Sequence, residues 1–135
     1  MVRILLADDH DVVRRGLREQ LSQHTGWEIC GEACNGREAV KLATQLAPDV
    51  AVIDLSMPEL NGLEATRQIR RNMPKTEVLI FSMHETEQLI REVLAAGARG
   101  YVLKSDAGRH ITSAVEALSH RKPSGCVGDP APRYF

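Results

Sequence analysis

The sequence predicts an α/β fold: a five-stranded parallel sheet, doubly wound with helices on both faces, with strand order 2-1-3-4-5. Three observations predict it. Short apolar runs of strand length alternate with segments of helical period along the chain. One run, Val50-Ala-Val-Ile53, is apolar at every position, as a central parallel strand covered on both faces must be. Four of the runs are followed at once by a chemically active side chain: Asp8 and Asp9, then Asp54, Ser82 and Lys104. Open α/β sheets bind ligands outside the carboxyl ends of their strands, where strand order reverses.

The elements follow in order. Residues 2–7 form the first strand and lead straight into Asp8-Asp9. Asp11 to Gln23 is a helix, with Val12, Val13, Leu17 and Leu21 at helical spacing, and Gly26 breaks the chain after it. Trp27 to Cys34 alternates as a strand, Trp27/Ile29 against Glu28/Cys30. Asn35 caps a helix over Arg37–Leu46 whose inward residues are Ala39, Val40, Ala43 and Leu46, and Pro48 ends it. Val50–Asp54 is the third strand, and 56–62 is a loop. Leu63 to Arg71 is a helix, with Pro74 in the connection that follows. Glu77–Phe81 is the fourth strand. Thr86 to Ala96 is a helix stopped by Gly97, Gly100–Leu103 is the fifth strand, and Ser105 or Asp106 caps a last helix that runs to about His120. Right-handed crossovers leave few ways to connect these elements. The second strand is followed by Asn35 and no acid, so it belongs at the side, which leaves strands 1, 3, 4 and 5 around the cleft.

Composition narrows the function. At 135 residues there is room for one domain. A formal net charge of -1 offers no general attraction to nucleic acid or anionic membrane, which argues against direct DNA binding by this segment. There is no long uncharged apolar stretch to span a membrane and no signal peptide, and the expected location is the cytoplasm. Of three cysteines none has zinc-finger spacing, and Cys30 and Cys34 read as reduced fillers, with Cys126 in a loose tail. From Arg121 onward prolines and glycines replace apolar periodicity, the mark of a linker.

Three carboxylates in one cleft repel one another unless a cation joins them. Mg2+ fits best, because it prefers oxygen ligands and shares phosphate oxygens with substrates. His10 follows the acid pair and reads as a capping or surface residue. Asp54 ends the most central strand, and a carboxylate there can act as nucleophile and form an aspartyl phosphate. Lys104 supplies a point charge, the Ser82 hydroxyl can donate to a phosphoryl oxygen, and the Ser56 carbonyl can complete the metal shell. Singly, each residue has a plainer role: a helix cap, a loop hydroxyl, a solvated lysine. Their joint occurrence on the strands that the topology gathers favours the functional reading.

The chain resembles the receiver domain of bacterial two-component response regulators. The resemblance rests on Leu-Leu-Ala-Asp-Asp-His at 5–10, Asp-Leu-Ser-Met-Pro-Glu-Leu-Asn-Gly-Leu-Glu at 54–64, Phe-Ser-Met-His at 81–84 and Ala-Gly-Ala-Arg-Gly-Tyr-Val-Leu-Lys at 96–104. It covers residues 1 to about 120, and its wording is closest to the LuxR/FixJ/NarL-type subfamily. It implies a flavodoxin-like (βα)5 receiver over residues 1–120, with 121–135 a linker toward an absent C-terminal output domain of helix-turn-helix type. It implies that Asp54 accepts phosphate from a sensor histidine kinase, that Asp8, Asp9 and Asp54 with the Ser56 carbonyl hold Mg2+, and that Ser82 and Lys104 contact the phosphoryl group. Ser82 and Tyr101 would form the switch, Ser56 and His84 would tune dephosphorylation, and Pro58 and Gly62 would shape the loop. Phosphorylation would drive a homodimer, with DNA bound only through the output domain, in transcription regulation.

Two residues depart from the common pattern: Ser105 follows Lys104 where many receivers have a cis proline, and the switch hydroxyl is Ser rather than Thr. Other readings are a receiver-like interaction module that works unphosphorylated and a Mg2+-dependent phosphohydrolase. The complete set Asp8, Asp9, Asp54, Ser82 and Lys104 disfavours the first. The second usually needs an Asp two residues past the nucleophile, where Ser56 stands, so the expectation is not an enzyme beyond self-catalysed phosphoryl transfer and autodephosphorylation. A flavin is weaker still, since the acidic first loop repels a phosphate.

Overall fold

A computed structural model of the chain describes residues 1–83 and 86–119, apart from the side chains of 106–109. His84 and the segment 121–135, both singled out in the sequence, lie outside the described residues. The elements are β1 (Val2–Ala7), α1 (Asp11–Ser22), β2 (Trp27–Ala33), α2 (Gly36–Leu46), β3 (Val50–Asp54), α3 (Gly62–Asn72), β4 (Glu77–Ser82), α4 (Glu87–Ala95), β5 (Gly100–Leu103) and α5 (Ala107–Ser119). The sheet order is β2-β1-β3-β4-β5, parallel throughout. This is the doubly wound order expected from the sequence.

Alternation along the strands divides the core into two layers. Ile4, Leu6, Val50, Val52, Leu79, Phe81 and Val102 face α1 and α5, where they meet Leu17, Leu21, Ile111, Val115 and Leu118. Leu5, Ala7, Ala51, Ile53, Val78, Ile80 and Tyr101 face the other way, against Ala39 and Ala43 of α2, Ile69 of α3 and Val93 of α4. β3 is buried at all its positions, which is why its sequence shows no polar alternation. The two layers clamp the strand ends, and so fix where the polar side chains beyond them project.

Local chemistry sets the helix ends. Asn35, Asn61 and Thr86 each cap the helix that follows, their side chains accepting from the backbone N–H of Glu38, Glu64 and Leu89. Gly26 and Gly97 take φ of 88° and 110° after α1 and α4, conformations that L side chains avoid. The first helix boundary differs from this pattern: His10 occupies the N-cap position of α1 without a side-chain capping bond.

Three local expectations are corrected. The alternation in β2 is interrupted, because its register against β1 jumps from Ile4↔Ile29 to Leu5↔Gly31 and leaves Cys30 unpaired in a bulge. Cys34 is not a buried filler; it is exposed, and Cys30 is half-buried. The helical spacing groups Val12 with Val13, Leu17 and Leu21, but Val12 is 81% exposed, since the helix turns Leu17 and Leu21 to the sheet. α5 begins at Ala107, directly after a 3₁₀ turn over Lys104–Asp106, and the side chain of Asp106 is not described. No cis peptide occurs among the described residues, in keeping with Ser105 after Lys104.

Candidate functional site

The site is built at the carboxyl edge of the sheet by the ends of β1, β3, β4 and β5. Asp8 is the first residue past β1, and its N–H donates to the Ala33 carbonyl of β2 at 3.0 Å. That bond continues the sheet ladder and pins the Asp8 side chain inward, where it is 1% exposed. Asp54 closes β3 and is 2% exposed. Because β3 pairs with β4 as Asp54↔Phe81, Ser82 stands one residue further out on the neighbouring strand, also buried. Lys104 follows β5 and reaches back over the Phe81 ring, its Nζ 5.4 Å from the ring centroid.

The ammonium of Lys104 is shared between the two buried acids, 3.3 Å from Asp8 Oδ2 and 3.3 Å from Asp54 Oδ1. Asp54 Oδ1 also accepts from the Ser56 N–H at 3.3 Å. Asp54 Oδ2 is a buried oxygen that accepts no hydrogen bond among the described residues, whereas the equally buried Asp8 Oδ2 has only the Lys104 ammonium beside it. Burial, and next the charge of Asp8, push the Asp54 carboxyl above the usual carboxylate range, against the pull of Lys104 and of the Ser56 N–H.

Asp9 is more open, with 31% of its side chain exposed, and stands at the mouth of the site. His10 joins it in a way the sequence did not indicate: its Nδ1 lies 3.1 Å from Asp9 Oδ1 and 3.3 Å from Asp8 Oδ1. It is a surface residue, as expected, but not a side-chain cap. Ligand atoms of Asp8, Asp9, His10 and Asp54 all fall within 4.8 Å of one another. Two buried carboxylates, Asp8 and Asp54, and the more open Asp9 form a hard, oxygen-rich set that fits a divalent cation of the Mg2+ type.

The loop after Asp54 is held by sterics. Gly62 begins α3 against the carbonyl of Asp54 itself: a Cβ there would lie 2.3 Å from that oxygen. Gly36 begins α2 just as tightly, its Cβ position 1.8 Å from the Leu60 carbonyl oxygen. Between them Leu60 N–H donates to Pro58 O at 2.7 Å around Glu59, whose φ is 67°, a tight γ-turn. These backbone approaches explain the Pro58 and Gly62 signals. Tyr101 lies fully buried on β5, in the layer facing α4. The cluster expected at the sheet edge, Asp8, Asp9, Asp54 and Lys104, is thus brought together, with Ser82 beside it. Sequence reasoning weighs His10 but sets it outside the site, and it misses Arg14, which grips the Asp8 carbonyl from α1 at 2.6 Å. The match of Arg14 to Glu32 crosses from α1 to β2 and leaves no local pattern to find.

Residues 4–116 match the family model described as the response regulator receiver domain. The chain is 38% identical to the transcriptional regulatory protein LiaR of Bacillus subtilis over 123 residues, 91% of this chain and 58% of that protein. It is 39% identical to the response regulator UvrY of Escherichia coli over 118 residues, 87% of this chain and 54% of that protein. It therefore spans little more than half the length of these relatives. Among solved structures, a LuxR-family two-component response regulator from Aurantimonas sp. SI85-9A1 superposes with a TM-score of 0.84 at 38% identity, over 90% of this chain and 88% of that one. The isolated REC domain of RcsB from Salmonella enterica serovar Typhimurium, in the presence of phosphomimetic BeF3-, gives a TM-score of 0.82 at 27% identity, over 90% of each chain.

Proposed function

Since the chain belongs to the response regulator receiver family, we propose that it is a phosphorylation-controlled switch whose phosphoacceptor is Asp54. The observation that carries this reading is the state of Asp54: a buried carboxylate with one oxygen paired to Lys104 and the other accepting no hydrogen bond among the described residues. Asp54 Oδ2 attacks phosphorus as the bond from phosphorus to the donor breaks, and the donor's leaving group takes the electron pair. The donor is the phosphohistidine of a sensor kinase, or a small acyl phosphate.

Lys104 stays beside the new group and offsets its charge, and the Ser82 hydroxyl donates to a phosphoryl oxygen. Asp8 and Asp9, with the Ser56 carbonyl and Asp54, would hold Mg2+, which neutralises charge on the transferring group. The residue two past the acceptor is Ser56, not an acid, so the protein is an acceptor rather than a hydrolase for external substrates. Ser56 and His84 set how fast water removes the phosphoryl group. The added charge pulls Ser82 inward and lets Tyr101 repack, which changes the α4–β5 surface and favours a homodimer. Output through DNA would belong to a further domain, as the name of the B. subtilis relative, a transcriptional regulatory protein, suggests.

The test is intact-protein mass after incubation with acetyl phosphate, with and without Mg2+, for the wild type and Asp54→Asn. A Mg2+-dependent gain of one phosphoryl group in the wild type alone is expected. A gain of the same size in Asp54→Asn would remove Asp54 as acceptor. No gain, together with no binding of beryllofluoride, would favour a module that works unphosphorylated.

A further inference from the structure

Arg14, on the second turn of α1, spends its whole guanidinium on one task. Its Nη1 donates to the backbone carbonyl of Asp8 at 2.6 Å, its Nε donates to Glu32 Oε1 at 3.0 Å, and its Nη2 meets Asp11 Oδ1 at 2.6 Å. Glu32 is held from the other side by Arg18 Nη1 at 2.8 Å. Only 17% of the Arg14 side chain is exposed, whereas Asp11 is 82% exposed and contributes little.

The contacts close a ring. Asp8 N–H is bound to Ala33 O of β2, and Asp8 C=O is bound through Arg14 to Glu32, the residue before Ala33. The carbonyl that Arg14 grips belongs to the planar peptide joining Asp8 to Asp9. Fixing that plane fixes the directions in which the two acids leave the backbone. A flexible β1–α1 turn would otherwise let Asp9, the more exposed of the pair, swing away from Asp54.

We infer that Arg14, braced by Glu32, is a positioning residue for the cation: it holds the Asp8–Asp9 peptide so that both carboxylates face Asp54. The inference rests on the proposed receiver function. Its sign is opposite to that of simple electrostatics. Removing a nearby positive charge should tighten cation binding; losing the brace should weaken it, and supporting groups of this kind are typically worth about 10-fold or more in metal affinity.

Binding of Mn2+, followed by the loss of its free-ion paramagnetic resonance signal and by competition with Mg2+, separates the two in the full chain. Arg14→Met removes charge and brace. Arg14→Lys keeps the charge but cannot bond the Asp8 carbonyl and Glu32 with one planar fork. Both variants are expected to raise Kd by about 10-fold, and urea unfolding of the same samples shows that they are folded. Tighter binding by Arg14→Met with no change in Arg14→Lys overturns the inference in favour of charge alone. Wild-type Kd in both variants overturns it outright. If the wild type takes up neither ion, the proposed Mg2+-dependent phosphorylation fails, and the inference with it.

Discussion

Replacing Lys104 by Met keeps most of the stem and removes the ammonium. That ammonium serves two carboxylates, 3.3 Å from each, and both acids are almost fully buried. At an effective dielectric constant of about 20, each pair carries a Coulomb attraction of roughly 5 kcal/mol, most of which is offset by the cost of desolvating the charges. What remains measurable is the cost of leaving a buried charge without its partner, about 3–5 kcal/mol. Asp54, whose carboxyl is already raised, can take up a proton instead of staying unpaired, so the lower end, about 3 kcal/mol, is expected at pH ~7 without Mg2+. With a urea m value of about 2 kcal/mol per M, the unfolding midpoint falls by roughly 1.5 M.

The pH dependence supplies the sign. In the wild type the Asp54 carboxyl is raised above its unfolded value, mainly by burial and then by Asp8. The folded protein therefore binds the proton more tightly than the unfolded chain, and this group makes stability fall as pH rises from the unfolded pKa through the folded one. Without Lys104 that fall is steeper, so the gap between mutant and wild type should narrow at pH ~4 and widen toward pH ~7. Urea titrations at both pH values, with and without Mg2+, are the assay, and Mg2+ should restore part of the loss. A midpoint unchanged at pH ~7, or an equal loss at both pH values, would refute the electrostatic account of the cleft.

Other substitutions probe separate parts. Asp54→Asn should raise Tm at neutral pH, since the raised pKa makes the ionised carboxyl a burden there, and the gain should vanish in acid; a lower Tm at neutral pH would contradict the sign. Ser82→Ala should still gain a phosphoryl group in the mass assay but show weaker phosphorylation-driven dimerisation by light scattering; dimerisation equal to wild type would exclude the Ser82 route. Gly62→Ala sets a methyl 2.3 Å from the Asp54 carbonyl oxygen and should cost about 3 kcal/mol by urea unfolding while slowing phosphorylation; a neutral result would mean that the loop yields freely.

The element order, the parallel sheet and the edge on which the site lies were legible in the residues, because they depend on local quantities. Periodicity separates strand from helix, Asn35 and Thr86 mark helix starts, and Gly97 marks a stop, whereas the Asn61 cap emerged only from the structure. An apolar β3 is legible as central for the same reason. Given that topology, a side chain just past a strand has only one edge on which to stand, so Asp8, Asp54, Ser82 and Lys104 could be grouped without coordinates. Only the tertiary structure decided what depends on register and on side chains meeting from distant segments. The bulge at Cys30 is a slip between two strands, invisible in either strand alone. The outward turn of Val12 is set by how α1 rolls on the sheet. The sharing of one lysine between two acids, the approach of His10 to Asp8 and Asp9, and the Arg14–Glu32 brace are distances of a few ångströms. No spacing in the sequence encodes them, because they are fixed only when the packed layers bring the strand ends and α1 into place.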